Sequence, residues 1–316
     1  MRFVDATKET LGDAAQNCSG PIGVIDANRN GWNSLFVVEK GNFCLLWNTN
    51  GAFHPYGATF PAIPDAKYFK MLVGDLQNDR LDDIVVLGDK GIHVFTFATN
   101  GVATDVSTAS RLSTLSALDG TLMDLDCMGR LDLVAVTAGT NEVRIYRQSG
   151  PLLFSDITST SGIPASLQTA QAVMIEDWNR DGIMDVIVSR KHGPGLLLEK
   201  ERGGLLVSRE PTNWVAGAVF CTGDFDNDLR PDVAVVSDGK INICFNGGER
   251  KEIASAGNTT KIVAVDYDND GWLDLWAVGE KIRAWRNVGL SGFQEQTAQL
   301  ELDKFTGGGV SGNHFA

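Results

Sequence analysis

Residues 265–278 read VDYDNDGWLDLWAV, which sets Asp266, Asp268, Asp270 and Asp274 around Gly271 between two apolar runs. Carboxylates at alternate positions repel one another unless a hard cation gathers them, and oxygen-rich loops with a turn-making glycine are how proteins hold calcium. The chemistry this spacing predicts is calcium binding, with ligands at the first, third, fifth and ninth residues. An EF-hand shares the first carboxylates and the glycine but needs a bidentate Glu at its twelfth position and a helix on each side. Here the twelfth residue is Ala277, and LWAVGEKIRAW after Asp274 is a strand-like run followed by alternation. A loop between two strands is therefore the better reading.

The same pattern recurs five times along the chain, which makes it a repeated supersecondary unit. Asp224, Asp226, Asp228 and Asp232 form one copy, and Asp177, Asn179, Asp181 and Asp185 another. Asp75, Gln77, Asp79 and Asp83 form a third. Asp124, Asp126 and Asp132 make a partial copy, and Asp26, Asn28 and Asn30 an eroded one. Successive first aspartates lie 49, 49, 53, 47 and 42 residues apart.

The six loops hold 18 aspartates at ligand positions against a formal net charge of −13, so the remainder of the chain is net positive. Acidity concentrated in loops argues against a nucleic-acid partner bound by a basic face. A chain of 316 residues with 43% hydrophobic content and 35 glycines can bury a large core and make many tight turns. No apolar stretch is long enough to span a bilayer, and residues 1–20 lack the apolar run of a signal peptide. Cys18, Cys44, Cys127, Cys221 and Cys244 show no CxxC spacing, and their odd number cannot pair completely.

Positioning these loops requires strands on both sides. GVI, AVMI and IVAV precede loops, and LFVV, DIVVL, LVAV, VIVS, VAVV and LWAV follow them. A third, alternating segment comes next (NFCLLW, HVFTF, EVRIY, INICF, KIRAW), and a fourth of the type FxDxT. Many short strands at even spacing predict an all-β fold, a β-propeller of four-stranded blades. A parallel β-helix usually has shorter repeats, and a two-sheet sandwich would not repeat six times. Residues 3–7 read FVDAT and return as FSDIT at Phe154 and FQEQT at Phe293. Both Phe3 and Phe154 precede a loop aspartate by 23 residues, and the same count from Phe293 reaches Ala316. Six repeats with a seventh blade incomplete at the C-terminus are the expectation.

DxDxDGxxDL between strands, followed by FxDxT, resembles the FG-GAP or VCBS repeats of integrin-α-like propellers. It resembles in particular the propeller region of bacterial ASPIC/UnbV-type proteins. The similarity covers nearly the whole chain and implies a single β-propeller domain over residues 1–316, part of a longer product. In its seven-bladed members the N-terminal strand closes the last blade, which would place residues 3–7 in a seventh blade. The resemblance also implies calcium held additionally by the carbonyl of loop residue seven, and an exported location, periplasmic, cell-surface or extracellular.

Charge count ranks the loops, with Asp224, Asp266 and Asp177 opening the best ones. Arg80 and Leu229 replace the turn glycine at a position needing positive φ, which predicts a different bend or weaker binding. Met128 removes the fifth-position oxygen from the loop at Asp124, and Ser34 replaces the ninth-position acid of the first loop. For these two an Asx-bonded turn without metal is expected. The tryptophans suit packing between blades better than stacking on sugars. His54, His93, His192 and His314 lie in no metal-ligand spacing. GVSGN lacks the second glycine of a nucleophile elbow, and carboxylates committed to a cation are poor general acids. The functional expectation is a calcium-stabilised, non-catalytic interaction or adhesion scaffold with a protein or glycan partner on a propeller face. A lectin-like propeller is the alternative, and a polysaccharide lyase the third.

Overall fold

The computed structural model describes residues 7–12, 18–164, 167, 169–200 and 206–305. Among these residues the chain forms six four-stranded antiparallel sheets, each made of consecutive strands in spatial order one to four. This is the all-β, four-stranded-blade build of a β-propeller. In the sixth sheet, Thr259–Val265, Asp274–Gly279, Ile282–Asn287 and Phe293–Glu295 pair in succession. Every predicted loop falls between a first and a second strand. The second strands are Ser34–Glu39, Asp83–Gly88, Asp132–Thr137, Asp185–Arg190, Asp232–Ser237 and Asp274–Gly279.

Hydrophobic pattern dictates which strand is buried. The run DIVVLG of Asp83–Gly88 is buried at all six positions, as expected of a strand covered on both faces. The fourth strand of the first sheet, Ala52–Pro61, is mostly exposed. Burial is therefore greatest in the second and third strands of these sheets and least in the fourth.

Sheets one to three form one compact unit and sheets four to six another. In the first unit the first strands Cys18–Ile25, Tyr68–Gly74 and Ala117–Met123 lie side by side. In the second, Phe220–Gly223 lies beside Thr259–Val265. The cores sit between neighbouring sheets. Phe36 and Phe43 meet Phe95 with ring centroids 4.9 and 5.1 Å apart, and Trp178 meets Trp214 edge-on at 5.0 Å. Phe225, Leu275 and Trp285 fill the space between sheets five and six. Fully burying one such side chain stabilises the fold by about 1.5–3 kcal/mol.

A glycine before the loop lets the next blade approach. A Cβ on Gly74 would lie 2.7 Å from Leu131 Cδ1, and one on Gly223 would lie 2.8 Å from Leu273 Cδ1. Leu131 and Leu273 are the eighth residues of the third and sixth loops, so these two loops pack over the end of the preceding sheet's first strand.

Residues 3–6 and 306–316 lie outside the described residues, and with them the strands expected of a seventh blade. Thr7, the last residue of the predicted N-terminal strand, instead opens the single helical turn Thr7–Thr10. No helix among the described residues is long and apolar enough to cross a membrane.

Candidate metal centre

The six loops share one hydrogen-bond scheme. The first aspartate accepts the N–H groups of the fifth and sixth residues, and in the sixth loop Asp270 and Gly271 donate to Asp266 at 3.1 and 2.9 Å. The same pair of bonds is made to Asp26, Asp75, Asp124, Asp177 and Asp224. Where the fifth residue is polar, its side-chain oxygen accepts the N–H of the seventh, as from Trp32 to Asn30 and Trp272 to Asp270. The Asx-bonded turn expected only of the first and third loops thus organises all six.

The ninth aspartate does something the sequence did not suggest. Asp83, Asp132, Asp185, Asp232 and Asp274 are almost completely buried, at 1% exposure or less. One oxygen of each accepts the N–H of the second loop residue, and the other accepts an N–H at the end of the third strand. Asp274 is bound in this way by Tyr267 at 3.2 Å and Asn287 at 2.7 Å. Burial without full compensation pushes Asp83 and Asp232 up to about 7 and Asp274 to about 6, and raises Asp132 and Asp185 as well. In the first loop Ser34 occupies the same place, accepting the N–H of Asn48 at 3.2 Å through its hydroxyl.

In the two loops with four carboxylates, positions one, three and nine converge. One oxygen each from Asp224, Asp226 and Asp232 lies within 4.8 Å of the others, and so does the set from Asp266, Asp268 and Asp274. The fifth position of each is turned to an arginine. Arg230 forks onto Asp228, holding it below the usual carboxylate range, and Arg286 bonds Asp270.

Arg80 and Leu229 do not bend their loops differently. Their φ values of 69° and 68° place them in the left-handed region with Gly31, Gly129, Gly182 and Gly271. The fourth residue of every loop, Arg29, Asn78, Cys127, Arg180, Asn227 and Asn269, is left-handed too. Only the asparagines among them hint at this in the sequence. Two of these asparagines link loops to one another: Asn78 Nδ2 donates to Gly129 O at 2.6 Å, and Asn227 Nδ2 to Gly271 O at 3.1 Å.

The remaining predicted positions frame the site. Gln77, Asn28 and Asn179 occupy third positions, and Asn179 accepts the N–H of Asp181. Trp178, Trp214 and Trp285 are buried between sheets, as the packing reading expects, whereas Trp32 is 46% exposed. His93 is buried and bonded to Tyr68, His54 and His192 are exposed, and His314 lies outside the described residues. The five cysteines form no disulfide with one another.

Comparison with known proteins agrees with this architecture. The FG-GAP-like repeat family model matches residues 124–188 and 224–277, which include the third to sixth loops. Cartilage acidic protein 1 of Xenopus tropicalis is 28% identical over 159 residues, covering 42% of this chain and 24% of that protein. The chain thus spans about a quarter of that relative. An Agrocybe aegerita lectin that recognises non-reducing terminal N-acetylglucosamine superposes with a TM-score of 0.67 at 17% identity, covering 96% of this chain and 86% of the lectin. BBS1N, solved in complex with ARL6DN, superposes with a TM-score of 0.56 at 12% identity, covering 86% and 80%.

Proposed function

Because this chain is an FG-GAP-repeat β-propeller, we propose that it is a non-catalytic interaction scaffold of an exported protein, whose loop edge docks a partner and whose acidic loops hold calcium. The observation that carries the reading is the placement of exposed apolar side chains. Of the eight large ones among the described residues, Trp32, Met128, Met184 and Leu229 stand in the acidic loops. Val102 and Leu290 stand in the hairpins between third and fourth strands at the same edge of their sheets. Apolar groups at the loop edge of their sheets, among charged ones, favour association with another macromolecule.

The donor chemistry supports calcium. Each oxygen of Asp232 and Asp274 accepts one N–H and keeps a second lone-pair direction. Burial raises the pKa of both groups, and a hard divalent cation would favour their ionised form. Asp224, Asp226 and Asp232, and Asp266, Asp268 and Asp274, would hold the ion. Asp177, Asn179, Asp181 and Asp185 supply a similar set, as do Asp75, Gln77, Asp79 and Asp83. Bound calcium would fix the loops that present the apolar groups.

The test uses a photo-crosslinking residue at Leu229 or Leu290, with Val207 on a fourth strand as control. A common adduct from the two edge positions in millimolar calcium, absent from Val207 and lost in EDTA, supports the scaffold. Equal capture at all three positions overturns it. A glycan partner is the second reading, favoured by the half-exposed Tyr56 ring, 4.5 Å from that of Trp47. Selective binding on a glycan array, lost on Tyr56→Ala, would establish it.

A further inference from the structure

The sixth loop already contains a positive charge. Arg286, on the third strand of its sheet, places Nε 2.7 Å from Asp268 Oδ2 and Nη2 2.7 Å from Asp270 Oδ2. One guanidinium therefore bridges the third and fifth positions of the loop. Its planar, delocalised charge suits two carboxylates at once, and it stays protonated at any working pH. Calcium draws its oxygens to about 2.3–2.6 Å and wants the same third and fifth ligands. Those two carboxylates cannot serve both charges fully.

Two further observations separate Arg286 from an ordinary surface pair. The converging ligand set of this loop is Asp266, Asp268 and Asp274, and Asp270 is the member turned aside to the arginine. The third sheet repeats the arrangement with a difference. Arg147 precedes Gln148 as Arg286 precedes Asn287, and its Nε lies 3.4 Å from Asp126 Oδ2. In that loop the fifth position is Met128, so the arginine is present where the full oxygen set is not.

We propose that Arg286 is a tethered counter-ion that competes with calcium for the sixth loop. The inference rests on the reading that this loop binds calcium. When calcium is scarce the guanidinium holds Asp268 and Asp270 together and keeps the loop ordered. When calcium enters, it takes both carboxylates and the arginine, 38% exposed already, turns to solvent. The ion thus adds positive charge to the exposed loop edge and binds less tightly than four carboxylates alone would allow.

The experiment is calcium competition against terbium(III), with emission sensitised by Trp272 at the seventh position of the loop. Trp272→Phe identifies the share of signal from this loop. Arg286→Gln is expected to tighten calcium binding here tenfold or more and to lower the melting temperature in EDTA. Arg286→Lys, which keeps the charge but not the fork, should fall between Arg286→Gln and the wild type. Equal or weaker calcium binding by Arg286→Gln, with a loop signal that Asp266→Ala abolishes, overturns the counter-ion while leaving the calcium reading intact. A signal unchanged by Asp266→Ala overturns both.

Discussion

Asn287 Nδ2, at the end of the third strand of the sixth sheet, donates to the carbonyl oxygen of Phe225 in the fifth acidic loop at 2.8 Å. It also donates to Leu273 O at 3.1 Å, while its own N–H binds Asp274. One buried amide thus ties the sixth loop to the fifth. Gln148 and Asn246 do the same one blade back, reaching Leu76 O at 2.8 Å and Trp178 O at 3.2 Å. Replacing Asn287 by Ala leaves two carbonyls without this donor, so a loss of about 1–3 kcal/mol is expected in urea unfolding. Asn287→Asp, which cannot donate through its side chain, should be no better.

Leu229 has φ of 68° and is 68% exposed, so it bears left-handed strain with little packing to offset it. A residue with a Cβ in this region costs about 1–2 kcal/mol relative to glycine. Leu229→Gly should raise the stability of the protein by about 1 kcal/mol, measured by chemical denaturation. Gly271→Leu, at the equivalent place with φ of 88°, should lower it by a similar amount. The opposite sign of the two changes is what a shared loop conformation requires.

The blades were readable because two signals coincided, apolar second strands such as DIVVLG and turn residues at fixed offsets. The cation loops were readable as a spacing of carboxylates. What escaped the sequence was the division of labour inside each loop. Nothing in the spacing of Asp274 says that it is buried and spanned by two backbone N–H groups, because those donors belong to Tyr267 and to Asn287 on another strand. Arg286 escaped for the same reason: it is 16 residues from Asp270 and meets it only when the third strand folds back. At Leu229 the residue type alone argues against the left-handed φ that the loop adopts. The hydrogen bonds to Asp224 from Asp228 and from Leu229 itself hold the turn even without a glycine.

His93 is buried between the first two sheets, with Nε2 3.3 Å from Tyr68 Oη and its ring 4.8 Å from that of Phe43. Burial lowers its pKa, opposed in part by the charge of Asp105. The unfolded ring takes up a proton near pH 6.5, and the folded ring resists it. Stability is therefore unaffected well above that value and falls as the pH drops below it, by at most about 1.4 kcal/mol per unit. His93→Phe removes this term. Urea unfolding at pH 7.5 and 5.5 should show the variant losing less stability than the wild type over that interval, whatever its offset at pH 7.5. Parallel losses would show that the ring is protonated equally in both states.

Lys70 and Asp119 face each other from the first strands of the second and third sheets, with Nζ 2.7 Å from Oδ1 and side chains only 11% and 14% exposed. A pair this dry contributes little net stability, because desolvation offsets much of the attraction, but removing one member leaves the other charge in a poor environment. Lys70→Met is expected to destabilise the protein by about 3–5 kcal/mol, and Asp119→Leu by a similar amount. The double variant should recover most of that loss, since two apolar side chains can pack where the ion pair stood. Calorimetric unfolding of the four proteins closes the cycle. A double variant as unstable as the sum of the single changes would mean that the two residues act independently, and that the ion pair does not join the two sheets.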